Sequence, residues 1–347
     1  MSPPSAEMVQ RLALENGFDL AGIAPAFPLS EAVHYLDWAR RGLAGRMTYL
    51  TDHRAEKRRD PRFLLESARS VLVVGQLYNS PAPYSTQFDD PALAWISRYA
   101  WGEDYHTVMR SGLEAVDQQL KALVPCQTKI CIDTAPLLER PLARAAGLGW
   151  IGKNTCLINQ AHGSWFFLGE LLVSLDLTPG LPPPDRCGTC TRCIDACPTS
   201  AIVPTGHNSP AWELDARLCI SYLNIECKGE IPESQRHGLG RHVFGCDICQ
   251  DVCPWNRRAP ITANPAFQPQ HFAPPLADMA ALTPDAFVAL FRDSPIARAR
   301  YQGFLRNVAI AMGNAALPSF RVPLEKLATN PDSVIAGHAL WALQQLQ

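Results

Sequence analysis

Cys187-Gly-Thr-Cys190-Thr-Arg-Cys193-Ile-Asp-Ala-Cys197-Pro198 is the stretch on which the reading of this chain turns. Its gaps of two, two and three residues, closed by proline, are those of an iron–sulfur ligand run. A second stretch, Cys246-Asp-Ile-Cys249-Gln-Asp-Val-Cys253-Pro254, repeats the run without its first cysteine, because Val243 stands at that position. Soft thiolates match iron, and in two-cluster proteins the cysteine before proline ligates the other cluster. Cluster one is then expected on Cys187, Cys190, Cys193 and Cys253. Cluster two takes Cys197, Cys246 and Cys249 and lacks one ligand, which either Cys219 or Cys227 could supply. Structural zinc also uses four cysteines, but it does not require the repeated spacing with Cys-Pro. Cys126, Cys131 and Cys156 share no such spacing and are expected to be small buried hydrophobes.

Working outward, Pro179-Gly-Leu-Pro-Pro-Pro184 is a segment that neither a helix nor a central strand would cross. It divides an N-terminal domain, 1–178, from a ferredoxin-like domain, 179–260, and a helical region follows over 261–347. In the first domain, helices are expected over Ala6–Asn16, Glu31–Arg41 (capped by Ser30 and closed by Gly42), Thr107–Leu123 and Leu137–Ala146. Pro141 fits the last of these only near its first turn. Strands are expected over Ser70–Tyr78, Thr128–Ile132 and Trp165–Asp176. The fold class is α+β, with an α/β N-terminal domain. Phe304–Ala316 and Val334–Leu346 carry apolar residues at helical spacing and suggest a hairpin, one unit of a repeat.

The 347 residues are 47% hydrophobic and 18% charged, so the chain is long and apolar enough for two or three domains. A net charge of −2 announces no global attraction to nucleic acid. No apolar run reaches the length of a membrane span, since Glu170 and Asp176 interrupt the best candidate. The N-terminus carries no basic start with an apolar core, and Arg40-Arg41 and Arg58-Arg59 lie too far inside to be a twin-arginine leader. A cytoplasmic protein is the expectation, with its twelve cysteines serving metal or redox chemistry rather than disulfides.

Clusters carry electrons and do not say what is reduced, so a second site is needed. Asp133 follows the strand Thr128–Ile132, at the edge where open α/β sheets bind ligands, and could act as a general acid. Asp133 or Thr134 could equally cap the helix that follows. Gly147-Leu-Gly149-Trp150-Ile-Gly152-Lys153-Asn154 comes close to a phosphate-binding loop, but Asn154 stands where Ser or Thr would hold magnesium. A nucleotide hydrolase is therefore excluded, while a backbone that approaches a ligand closely is not. Arg98-Tyr99-Ala-Trp101-Gly-Glu-Asp104-Tyr105-His106 gathers aromatic and ionisable groups, and Lys57-Arg58-Arg59 is a basic run.

These residues converge on a known family. The stretch from Asp133 through Glu139-Arg140 to Gly149-Trp150-Ile-Gly152-Lys153-Asn154 resembles the signature of the epoxyqueuosine reductases. So do Arg98–His106, Cys219-Ile-Ser-Tyr-Leu-Asn-Ile-Glu226, Lys228-Gly-Glu-Ile-Pro232 and Phe244–Asn256, and together these span about 45–317. The resemblance implies a cobalamin-dependent iron–sulfur enzyme of the reductive-dehalogenase kind. Such enzymes reduce epoxyqueuosine to queuosine at the wobble base of a tRNA, the last step of queuosine synthesis. It implies a corrinoid in a nitroreductase-like N-terminal domain, two [4Fe–4S] clusters in the ferredoxin-like domain, and a C-terminal HEAT-like unit that helps hold the anticodon stem-loop. The catalytic acid falls on Asp133 and the eighth cluster ligand on Cys219. Cys227 departs from the family pattern. The resemblance favours a monomer fed by an external low-potential electron donor.

Corrinoid contacts are accordingly expected from Lys57, Arg58, Arg98, Tyr99, Gly149, Trp150, Gly152, Lys153 and Asn154. Asp104-Tyr-His106 begins a D-x-H-x-x-G corrinoid motif, but Met109 occupies the glycine position, so a base-off cobalamin without a protein histidine on cobalt is expected. Between Trp255 and Gln347 eight Arg or Lys oppose five Asp or Glu. Lys228, Arg257, Arg258, Arg298, Arg300 and Arg306 are the candidates to meet tRNA phosphates. Asp133 is expected to stay protonated because a closed apolar pocket raises a carboxyl pKa. A dehalogenase acting on a small molecule would share the cofactors but would carry a leader and no helical repeat. A plain electron carrier would not need residues 1–178, and a non-enzymatic tRNA-binding repeat would not need the cysteines.

Overall fold

The computed structural model describes residues 4–206 and 210–346. The N-terminal elements are α1 (Ala6–Glu15), β1 (Leu20–Pro25), α2 (Glu31–Arg40), β2 (Ser70–Leu77), α3 (Tyr105–Leu123), β3 (Thr128–Cys131), α4 (Glu139–Ala145) and β4 (Phe166–Val173). The four strands form one sheet in the order β1-β2-β4-β3, antiparallel at every step. β2 is buried at all eight positions, which is why it reads as a continuous apolar run rather than an alternating one. Val9, Met109, Leu113 and Val116 of α1 and α3 cover one face together with Phe167 and Leu171. Leu142, Ala143 and Ala146, on or just after α4, cover the other with Val73, Cys131 and Leu172.

The antiparallel sheet corrects one expectation. The carboxyl-edge rule belongs to parallel sheets, so it does not explain why Asp133 is placed at the end of β3. What sets Asp133 is its own backbone, held at φ +46° in the left-handed region, a conformation uncommon for a residue with a Cβ. Nor do Asp133 and Thr134 cap the next helix, because α4 begins six residues later with Leu138 at the cap. Ser30 also fails as a cap: it has helical dihedrals and its hydroxyl reaches Glu31 instead of a backbone N–H. Asp104 does cap, accepting the His106 N–H at 2.9 Å, and so starts α3 two residues before the apolar pattern shows it.

The C-terminal helices are α5 (Leu276–Ala280), α6 (Pro284–Phe291), α7 (Arg300–Ala315), α8 (Arg321–Ala328) and α9 (Ser333–Gln344). Three helices, α7 to α9, stand where two are read from periodicity. Pro323 hides α8, although a proline in a first turn costs little. One apolar core runs from Trp95 and Trp101 through Leu223, Ile231 and Phe244 to Phe304, Ile310 and Trp341. The helices and much of the cysteine-bearing segment therefore pack as one body, and 94–101 belongs to it. Asp247, between two cysteines, is the joint: its carboxylate accepts the Trp95 indole N–H at 3.2 Å and the Arg98 amide at 2.8 Å.

Candidate active site and thiol clusters

The cysteines gather into two sets. Cys193 lies near Cys187 and Cys190, and Cys253 near Cys156, Cys187 and Cys193. In the second set Cys246 faces Cys219 and Cys197, while Cys249 faces Cys246 and Cys219. Cys227 turns away: it is buried in the helical core, its thiol points at the Glu230 carbonyl, and its own carbonyl is held by Arg306. Among the described residues no three His, Cys, Asp or Glu side chains close round a point as a single ion requires.

The 149–154 loop is the seam between these sets and the N-terminal sheet. Lys153 donates to the carbonyls of Gly188 and Cys190 at 2.7 and 2.9 Å, in the first set. Asn154 donates to the Cys249 carbonyl at 3.3 Å, in the second. Cys156, expected to be an apolar filler, is half-buried and polar: its thiol reaches Gln250 Oε1 at 3.6 Å and lies against Cys249. The glycines of this loop answer to packing. A Cβ on Gly149 would stand 2.3 Å from the Ile158 carbonyl oxygen, and one on Gly152 would stand 2.5 Å from the Ile158 side chain.

Asp133 lies 40% exposed among polar side chains. Its carboxylate meets His106 Nε2 at 3.3 Å, and the opposite ring nitrogen of His106 meets Asp104 at 2.7 Å. Arg298 stands 3.7 Å from Asp133, holds Glu226 at 2.7 Å and lies over the Tyr49 ring. Tyr105 stacks between the His106 and Phe167 rings and turns its hydroxyl to Asp133. Glu139 Oε1 accepts the Asp133 amide at 2.6 Å. Arg140, next in the chain, donates to the Thr155 carbonyl at 2.8 Å. Two hydrogen bonds, Asp133 to Glu139 and Arg140 to Thr155, joined by the 139–140 and 155–156 peptide links, thus connect Asp133 to Cys156 beside Cys249.

The charges here differ from expectation. Burial alone would raise the Asp133 pKa, but the hydrogen bond and charge of His106, with Arg298 behind them, hold it below the usual carboxylate value. Burial works against a charge on His106, yet Asp104 and Asp133 outweigh it and push that pKa up to about 9. At neutral pH the proton of the pair therefore sits on the imidazole and not on Asp133.

Several side chains expected to touch ligands are spent inside the protein. Arg98 is 2% exposed, donates to the carbonyls of Ser80, Ala82 and Pro83, and packs on Tyr84, Trp101 and Trp165. Arg58 is buried against Tyr35 and the Tyr49 carbonyl. Trp150 is buried edge-on to Trp255, beside Cys187 and Cys253. Gly149, Gly152 and Asn154 are buried too, which leaves Lys57 exposed and Tyr99 and Lys153 half-buried among the expected corrinoid contacts. Arg306 is 1% exposed and gives its guanidinium to the carbonyls of Leu223, Cys227 and Gly229, so it reaches no phosphate. Arg298 belongs to the acid site. Lys228, Arg257, Arg258 and Arg300 do lie on the surface. His106, Tyr49, Glu139 and Glu226 were not among the expected site residues. His106, Glu139 and Glu226 do lie in stretches that carry the family resemblance; Tyr49 had no such signal.

Two thiol sets coupled by a polar seam to an acid–base pair describe an iron–sulfur oxidoreductase. Residues 186–256 match the family model for a 4Fe-4S double cluster binding domain, and 58–134 match that described as epoxyqueuosine reductase QueG, DUF1730. The epoxyqueuosine reductase of Xanthomonas campestris pv. campestris is 39% identical over 98% of this chain and 96% of its own length. That of Escherichia coli is 35% identical over 98% and 89%. A crystal structure of an epoxyqueuosine reductase with a tRNA-Tyr epoxyqueuosine-modified stem loop matches with a TM-score of 0.88 at 28% identity, over 98% of this chain and 89% of that one. The Bacillus subtilis enzyme, solved with an aspartate-bearing catalytic loop swung out of its active site, matches at 0.86 and 27% over 98% and 90%. The chain belongs to the epoxyqueuosine reductase family. Among the described residues no helix is long and apolar enough to cross a membrane.

Proposed function

We propose that this chain reduces epoxyqueuosine to queuosine at the wobble base of tRNA, with cobalamin at the Asp133 site and electrons arriving through two [4Fe–4S] clusters. The observation that carries the reading is that the Asp133 site connects, through two hydrogen bonds and two peptide links, to Cys156 beside Cys249. Cys187, Cys190, Cys193 and Cys253 hold one cluster, and Cys197, Cys219, Cys246 and Cys249 hold the other. Thiols without histidine suit iron–sulfur chemistry.

His106 is engaged by two carboxylates, and a corrinoid bound beside it would be lined by Tyr99, with Lys57 and the stem of Lys153 as further expected contacts. When bound, cobalamin supplies a low-valent metal able to pass electrons to a strained epoxide. The protein's own part is the proton. Cleaving the C–O bond builds negative charge on oxygen, and Asp133 conveys the His106 proton to it. Arg298 and Tyr105 keep Asp133 aimed and ionised between turnovers.

A base must leave its stack to reach such a pocket. Lys228, Arg257, Arg258 and Arg300 meet the phosphates of the anticodon arm, and α7 to α9 act as one HEAT-like unit behind them. An external low-potential donor refills the clusters. The test is Asp133→Asn in enzyme loaded with both cofactors. Turnover is lost while the cobalamin absorbance of the purified protein stays. Turnover equal to wild type removes Asp133 from the mechanism.

A further inference from the structure

Glu170 lies in the middle of β4, fully buried, and neither carboxyl oxygen has a hydrogen-bond partner. An acid so placed has no role in holding the sheet: an apolar residue of its size would pack there without the cost of desolvating a carboxyl. Register puts Gly22, Val73, Glu170 and Cys131 in one row across the four strands, on the face that α4 covers. The groups whose charge bears on Glu170 are Glu139, at the start of α4, and Asp133 beyond it. β1 and β2 present Gly22 and Val73, and β3 presents Cys131. Three carboxyls thus descend from the open site to the sheet interior: Asp133 exposed, Glu139 half-buried and hydrogen-bonded to the Asp133 backbone, and Glu170 sealed.

We propose that Glu170, through Glu139, is the internal proton store that reloads Asp133 during turnover. The inference rests on Asp133 being the proton-delivering residue. The stoichiometry calls for a second proton. Removing the epoxide oxygen breaks two C–O bonds, takes up two electrons from the clusters and two protons, and gives an alkene and water. The His106–Asp133 pair carries one proton. The second is assigned to Glu170. Burial and the neighbouring carboxylates keep Glu170 protonated, as the role demands, and they raise Glu139 as well.

The variant is Glu170→Gln, which matches the neutral acid in size and cannot pass a proton. Two readouts are needed. In the purified protein at neutral pH, the infrared carbonyl stretch of one protonated carboxyl is present in wild type and absent in E170Q. In the loaded enzyme with substrate tRNA, the E170Q single-turnover rate falls about tenfold at neutral pH, below the roughly hundredfold of a directly placed acid. It then declines further as pH rises, and small weak acids added as buffer restore it. Wild-type kinetics in E170Q overturn the proposal, as does a uniform slowing that buffer acids do not rescue, or a wild-type spectrum without the carbonyl band. If E170Q does not fold, Glu139→Gln is read by the same kinetic criteria. Asp133→Asn is run beside them: full activity in that variant sinks the Asp133 reading itself, whereas its loss with normal E170Q kinetics sinks only the store.

Discussion

Replacing His106 with Gln should convert an enzyme that is loaded at neutral pH into one that is almost empty of its proton. In wild type the proton is held by His106, whose pKa is pushed up to about 9 by Asp104 and Asp133. The single-turnover rate should therefore stay flat through neutral pH and fall as pH rises through about 9, because a general acid works only while protonated. In His106→Gln the proton must sit on Asp133 itself. Loss of the imidazolium lets burial act on that carboxyl while Arg298 still opposes it, so its pKa rises from its depressed native position but the group remains a far stronger acid than the imidazolium it replaces. At neutral pH only a small minority of sites is then loaded. A stronger acid transfers its proton faster and recovers part of the loss, leaving a rate lower by about a hundredfold. The falling limb moves from about 9 down into the acid range. The assay is nucleoside mass spectrometry of tRNA quenched at intervals, with enzyme in excess, across that pH range. A variant within a few-fold of wild type, with its falling limb still near 9, would refute the proton inventory assigned to this pair.

Other outcomes follow from the same structure. Cys219→Ala should reduce the iron content of reconstituted protein from about eight atoms to about four, whereas Cys227→Ala should leave it unchanged; the reverse pattern would exchange their roles. Arg306→Met leaves three buried carbonyls without a donor, at about 1–3 kcal/mol each. The thermal midpoint should drop by roughly 5 °C or more, with no change in the salt dependence of tRNA binding. Arg257→Ala and Arg258→Ala should do the opposite: stability holds, while the slope of log affinity against log salt falls by up to about one unit each. Equal slopes in wild type and variants would take these two arginines off the RNA surface.

The cluster segment was legible because its chemistry is local: ligand spacing is written along the chain and needs no tertiary information. The choice between Cys219 and Cys227 was not local. It depends on Arg306 and the helical core drawing the 227 backbone away from the second thiol set. The arginines teach the same lesson. Arg98, Arg298 and Arg306 look alike in sequence, yet one locks the 80–83 loop, one faces Asp133 and one satisfies buried carbonyls. β2 and β4 stood out as apolar runs, while β1, with Gly22 and Pro25 in six residues, has too little strand propensity to show. Asp133 was found from its place after a strand, but its ionisation was misjudged, because the histidine that sets it lies 27 residues away.

The central claim is that this chain couples corrinoid chemistry to epoxide reduction on tRNA. It is tested most directly with protein reconstituted anaerobically with iron and sulfide, with and without cobalamin, under a low-potential reductant. Epoxyqueuosine-containing tRNA is then added and digested for nucleoside mass spectrometry. Loss of one oxygen to give queuosine only when cobalamin is present is the predicted result. No conversion by protein that holds cobalamin and both clusters, or full conversion without cobalamin, would contradict it.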